Sequence, residues 1–319
     1  MTAPATPLPA RHFIRSSTGY ARRQIVNRVM LTLTGVLTAL ALVPLFWIIG
    51  YVVYRGGQSL SLDFFTQLPR PLGMAGGGVL HAIEGTVVLT VLAGLFAIPP
   101  GVLTAFYVAQ HPNTPLGVVV RFGTDVLAGV PSIVVGLFGY ALVVKNQGHY
   151  SALAGGIALA IIMLPTIIRT TEEMLKLVPH TLREGSLALG APEWKTSLSV
   201  TLQAAANGIL TGFLLGLARA SGETAPLLFT ALGNEHFEVV RLVQAGLRNG
   251  QNLGVILLNL VEQPVDSLPL TMWKYAQQPY AERIQQSWAV ALVLMMFVLL
   301  INILVRVWSQ ARTSRMQGG

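Results

Sequence analysis

Cysteine is absent, so disulfides, thiolate metal sites and cysteine nucleophiles are excluded at the outset. Charge is scarce as well: 11% of the 319 residues are Asp, Glu, Lys or Arg, where a soluble domain carries about 25%. Only four lysines occur, Lys145, Lys176, Lys195 and Lys274. None sits in a Gly-x-x-x-x-Gly-Lys-Ser/Thr loop, the arrangement that cradles nucleotide phosphates; Lys195-Thr196 comes closest, with Trp194 before it. The chain therefore has no ATP site of its own and is not an ATPase. His12, His81, His111, His149, His180 and His236 are scattered without metal-ligand spacing. They read as solvated or interfacial, and no metal or other cofactor is expected on this chain. No nucleophile–base constellation is visible either.

What is present is apolar. Hydrophobic residues make up 53% of the chain and the mean hydropathy is +0.61. One core cannot absorb that excess, because a globule of this size still needs a polar skin. Lipid is its natural solvent. The net charge of +8 does not point to nucleic acid, because no basic stripe with interleaved aromatics occurs. The arginines cluster instead at the ends of apolar runs.

A helix needs about 20 apolar residues to cross the hydrocarbon core. Six stretches qualify or come close: 29–54, 85–110, 126–144, 146–168, 196–218 and 284–305. The expectation is an all-α polytopic membrane protein of about six helices. A polar tail (1–28) precedes the first helix (29–54), which is far longer than the apolar part of a signal peptide and reads as a signal anchor. An outer loop (55–78) follows, then a core of five helices (79–309) with an inner loop at 170–202 and an outer loop at 233–283, and a last tail (310–319). With both termini inside, the inner side collects Arg11, Arg15, Arg22, Arg23, Arg28, Arg121, Arg169, Lys176, Arg183, Lys195, Arg306, Arg312 and Arg315. The outer side holds Arg55, Arg70, Lys145, Arg241, Arg248, Lys274 and Arg283. That asymmetry fixes the orientation, and leaves Arg219 at membrane depth.

Proline and glycine interrupt three spans, at Pro99-Pro100-Gly101, Gly129-Val130-Pro131 and Pro165. Freed backbone groups in lipid must be satisfied by neighbouring helices or a water-lined cavity. Such breaks are ordinary membrane prolines or the mark of a transport path. Asp125 and Arg121, four residues apart at an inner helix end, read as an ion pair. Glu84 reads as exposed at an outer mouth, and Trp273, Tyr275, Tyr280 and Trp288 as an interfacial aromatic belt.

Two segments carry chemistry. In the inner loop, Thr181-Leu182-Arg183-Glu184 has the Ser/Thr-x-x-Glu form of a capping box, and Gly190 suits a left-handed cap. A short capped helix with Leu182, Leu187 and Leu189, outside the lipid, is either a surface-lying turn or a face for a partner. In the fifth span, Arg219 and Glu223 share a helix face. A charge at membrane depth costs about 2.5–3.5 kcal/mol even on a lenient scale. The two either neutralise each other, or Arg219 offers a permanently charged fork to an oxyanion while Glu223 orients it and limits its affinity.

Glu184-Gly185-Ser186, Gly190 and, nine residues on, Val200-Thr201-Leu202 resemble the coupling loop of binding-protein-dependent ABC importer permeases. Gly185 and Ser186 stand where that family has two alanines, and Gln203 where it has proline. The segment 219–231, with 129–138, 168–175 and 268–275, is similar to the PstA family of phosphate importer permeases. The resemblance covers roughly residues 76–308. It implies the type I (MetI-like) permease fold in a bacterial cytoplasmic (inner) membrane. It implies a heterodimer with a PstC-like permease, two PstB-like ATPases carrying ATP and Mg, a PstS-like binding protein outside, and inorganic phosphate as cargo; the assembled complex would be a phosphate-translocating ATPase. Thr181, Leu182, Arg183, Glu184, Gly185, Ser186, Leu187, Ala188, Leu189, Gly190 and Ala191 become the helix that couples to the ATPase. Arg219, Glu223 and Thr224 line the path, with Arg169 as a second cationic step or a plain positive-inside anchor. The residues also admit a permease for sulfate or molybdate, or a secondary transporter.

Overall fold

Long apolar runs with few helix breakers become long helices, and the computed structural model, which describes residues 17–74 and 76–317, is built of them. Arg11 and Arg15, and the side chains of Arg312 and Arg315, lie outside the described residues. The elements are α1 (Ser17–Gly57), α2 (Leu62–Thr66), α3 (Leu80–Gln110) and α4 (Pro115–Gly129). Next come α5 (Ser132–Gln147), α6 (Ala152–Lys176), α7 (His180–Ala188) and α8 (Glu193–Ser221). The last are α9 (Ala225–Thr230), α10 (Val239–Arg248), α11 (Leu253–Glu262), α12 (Leu268–Ala276) and α13 (Ala281–Gln317). Among the described residues, α1, α3, α6, α8 and the apolar part of α13 are each long and apolar enough to cross a bilayer, and α4 with α5 makes a sixth crossing if that bent pair is one span.

The chain divides into two units, residues 1–53 and 54–319. The described part of the first is helical from Ser17, so residues 17–28 of the expected polar tail continue the first helix, and the rest of that tail lies outside the described residues. No proline or glycine lies between Tyr20 and Thr34 to stop the helix. Its apolar side chains point out all round, Leu31, Leu40 and Trp47 among them. A helix apolar on every face and uncovered by protein is solvated by lipid.

In the second unit α6 is the central helix, with α3 and α8 packed against it. Leu89, Ala93 and Ala97 of α3, Leu159, Met163 and Ile167 of α6, and Leu217 and Ala220 of α8 form one buried cluster. Between lipid-solvated helices burial brings little hydrophobic gain, so close backbone approach and dispersion hold the seam. A Cβ at Gly156 would stand 2.6 Å from Leu92 Cβ, and one at Gly212 2.8 Å from Thr170 Cβ. Only glycine fits at those two crossings.

The three expected breaks have different outcomes. The chain bends by 103° between α4 and α5, at Val130-Pro131. The helix beyond starts at Ser132, and the expected span 126–144 is really two helices at a sharp angle. By contrast α3 runs unbroken through Pro99-Pro100 and α6 through Pro165. A proline removes one backbone bond, and buried Pro165 sits in a helix held on both sides by neighbours. The reading of those two as interruptions is corrected. The expected fourth span, from residue 146, starts only at Ala152, because Gly148 takes a left-handed conformation (φ +77°) and ends α5.

Candidate functional site

Arg219 occupies the last turn of α8, and Glu223 follows the helix end at Ser221. Their closest charged atoms are 3.9 Å apart, with the Arg219 side chain 47% exposed and that of Glu223 20% exposed. One turn before Arg219, the Gly216 position abuts Ile167 and Met163. Those residues lie at the middle of α6, so the pair sits at mid-depth of the bundle rather than at a helix mouth.

The chain breaks there and resumes as α9. Pro226 lies against Gly136 of α5, and Thr230 against Gly139. Both segments advance together, so α5 and α9 run parallel and Ser132 shares the level of Gly222. The break at Pro131 and the break at Gly222–Thr224 therefore lie at one depth. The first amides of α5 have no intrahelical acceptors and carry the positive end of its dipole. Half-helices opening at mid-depth beside an arginine form a surrounding suited to an anion. Thr224 caps α9 without a side-chain bond.

The exposed face of α8 is a stripe. Asn207, Thr211, Leu215 and Arg219 recur every four residues, all exposed, while Gly212, Gly216 and Ala220 turn into the core. Asn207 and Thr211 were missed in the sequence, although they share one helix face with Arg219 at four-residue spacing, with only Leu215 apolar among the four.

Arg169 is not part of this group. It lies beside Thr170, level with Gly212, about 10 Å along the axis from Arg219 at 1.5 Å per residue. Its Nη1 donates to Asp125 Oδ1 at 2.7 Å. That bond corrects the expected Arg121–Asp125 pair. Arg121 instead donates from Nε to buried Glu172 (2.8 Å) and from its terminal nitrogens to the carbonyls of Pro112 and Val108. Lys176 adds a 2.5 Å contact to the same carboxylate.

α7 starts at His180 with Pro179 as its N-cap, and no side chain caps it. The Thr181–Glu184 capping box is therefore not formed, because the N-cap falls at Pro179, two residues upstream of Thr181. The other end is as expected. Gly190 is left-handed (φ +81°), Ala191 N–H reaches Ser186 O at 3.2 Å, and Gly190 N–H reaches Leu187 O at 2.9 Å. This double bond pattern closes the helix. Leu182 and Leu189 are exposed, Leu189 by 90%, and the Ser186 and Thr196 hydroxyls are 2.8 Å apart.

Three side chains at the start of α3 and in α12 also depart from expectation. His81 is fully buried, 3.8 Å from Asp266, which also holds Lys274 at 3.0 Å. Glu84 accepts the Val239 amide at 2.7 Å. Tyr275 is buried with the Arg283 guanidinium over its ring at 4.6 Å, and burial pushes its phenol above the usual range. None is the solvated or belt residue expected: distant chain meets each of them, Asp266 at His81, the start of α10 at Glu84 and Arg283 at Tyr275. Among the described residues no group of three potential metal ligands gathers.

Residues 97–316 match the family described as binding-protein-dependent transport system inner membrane component. A protein named phosphate transport system permease protein PstA from Yersinia pestis is 41% identical over 288 residues, 90% of this chain and 91% of its own length. Its namesake from Mycobacterium leprae is 37% identical over 302 residues, 93% of each. The chain belongs to the binding-protein-dependent transport inner membrane components, as a PstA permease. Two solved structures share the fold. An inward-facing MetNI methionine ABC transporter has a TM-score of 0.55 at 18% identity, over 73% of this chain and 95% of its own. A bacterial alginate ABC transporter has 0.56 at 14% identity, over 92% and 97%. The chain is a multi-pass membrane protein, the permease subunit of an ABC importer rather than its ATPase.

Proposed function

We propose that this chain is one permease of an ATP-driven importer of inorganic phosphate, and that phosphate passes along the α8 stripe at Arg219. The observation that carries the reading is an arginine at mid-depth, half open on the uncovered face of its helix, beside two chain breaks at one level. A hydrated oxyanion must shed water to cross, which charge-assisted hydrogen bonds offset. The well must stay shallow for release, and Glu223 makes it so. An open stripe is half a path; a second, PstC-like permease supplies the other half. Relatives named as phosphate permeases at 37–41% identity favour phosphate over other oxyanions.

In this reading α7, with Thr181 to Ala191, seats in one of two PstB-like ATPases, which hold ATP and Mg. The exposed Leu182 and Leu189 support such a seat. A PstS-like protein delivers phosphate from outside, both termini face the cytoplasm, and the assembled complex is the phosphate-translocating ATPase. The test is gentle purification, identification of the co-purifying chains, and reconstitution into vesicles. An ATPase and a related permease should accompany the chain, and ATP-dependent phosphate uptake should resist excess sulfate and molybdate. Competition by either at equal concentration, or uptake without ATP, would refute it.

A further inference from the structure

Behind α7, where the apolar runs of α3 and α6 end at Gln110 and Lys176, lies an open cleft of about 340 Å³. Its mouth carries Lys176, His180 and Arg183, and its wall Phe106, Leu175 and Thr201. The charges do not balance. Glu172 is shared by Arg121 and Lys176, leaving one positive charge in excess there. The side chains of Arg183 and His180 make no hydrogen bond or ion pair among the described residues, and the Thr201 hydroxyl is buried without a partner. A free guanidinium, a second cation and an orphan hydroxyl over an apolar wall, where two spans meet the aqueous boundary, complement an anion with a greasy attachment.

We propose that this cleft seats a phosphate group, carried by an anionic phospholipid or free as inorganic phosphate. Arg183 grips it through parallel N–H bonds, Lys176 and His180 add charge, and Thr201 donates its hydroxyl. A basic pocket between helices at the membrane boundary is the physical form of a lipid headgroup site, and Phe106 and Leu175 offer a surface to the first acyl carbons. The site is separate from Arg219, and the inference stands whichever ion the permease carries.

The test is native mass spectrometry of the full chain in mild detergent and phosphate-free buffer, titrated with phosphatidylglycerol or phosphatidylcholine. Wild type should retain phosphatidylglycerol in preference to phosphatidylcholine. Arg183→Gln should lower retention roughly fivefold or more, the loss of one cation near a headgroup. Arg183→Lys should keep part of it, and Thr201→Val should weaken it with charge unchanged. Lys195→Gln removes an equal charge from the same loop outside the cleft, and should leave retention intact. Displacement by millimolar inorganic phosphate would identify the free ion as occupant, and resistance to it the lipid; each supports a phosphate seat. Equal retention by Arg183→Gln and wild type, or equal losses in Arg183→Gln and Lys195→Gln, would overturn it.

Discussion

Glu172 and Glu223 both hold an arginine in the same bundle, but under different conditions. Glu172 is 6% exposed, with Arg121 at 2.7 Å and Lys176 at 2.5 Å. Glu223 is 20% exposed and stands 3.9 Å from an arginine that is half open. In the first cluster the buried carboxylate is closely held: Arg121 and Lys176 converge on its Oε1, and the helices α4 and α6 are tied through it. In the second, the guanidinium keeps donors to spare. A loose pair of this kind adds about 0–1 kcal/mol to stability, too little to explain a charge placed at mid-depth. Tight pairing marks a strut, and incomplete pairing marks a group available to something that passes.

The comparison can be broken first at the strut. Glu172→Ala leaves Arg121 without its buried partner and should cost about 3 kcal/mol, read as a lower melting temperature and less folded chain; a loss under about 1 kcal/mol would dissolve the distinction. Gly212→Ala forces a methyl to within 2.8 Å of Thr170 Cβ and should cost about 1–3 kcal/mol by overpacking the α6–α8 seam. Its control is Gly123→Ala in α4, which meets nothing within 4 Å and should gain up to about 1 kcal/mol from helix propensity. Arg219→Gln should move stability by less than about 1 kcal/mol. Smallest of all, Arg241→Ala breaks a 2.6 Å pair whose arginine is 75% exposed, and its melting curve should overlay wild type.

Much of this was legible before any fold was seen. Uncharged runs of about 20 residues announced the spans, Pro131 the sharp bend, Gly190 the left-handed cap and the Arg219–Glu223 spacing the mid-depth pair. What stayed hidden depended on distant chain. Arg121 and Asp125 have ideal helical spacing, yet Glu172, 51 residues away, offers a drier carboxylate and takes the arginine. His81 looked solvated because nothing near it in sequence foretells that Asp266 and α12 close over it. Pro165 looked like an interruption because sequence does not reveal the neighbours that brace its helix. The α8 stripe needed the core to be known, since a face is exposed only by what fails to cover it.

The central claim is that Arg219 is a transport group and Glu172 a strut. It is tested by phosphate uptake in vesicles carrying the assembled complex, normalised to complex content, for Arg219→Gln and Glu172→Gln. The account predicts at least roughly tenfold slower uptake per complex for Arg219→Gln, the loss of a charge-assisted hydrogen bond, with complex levels unchanged. For Glu172→Gln it predicts fewer complexes, each transporting normally. Wild-type uptake by Arg219→Gln at normal complex levels would contradict it.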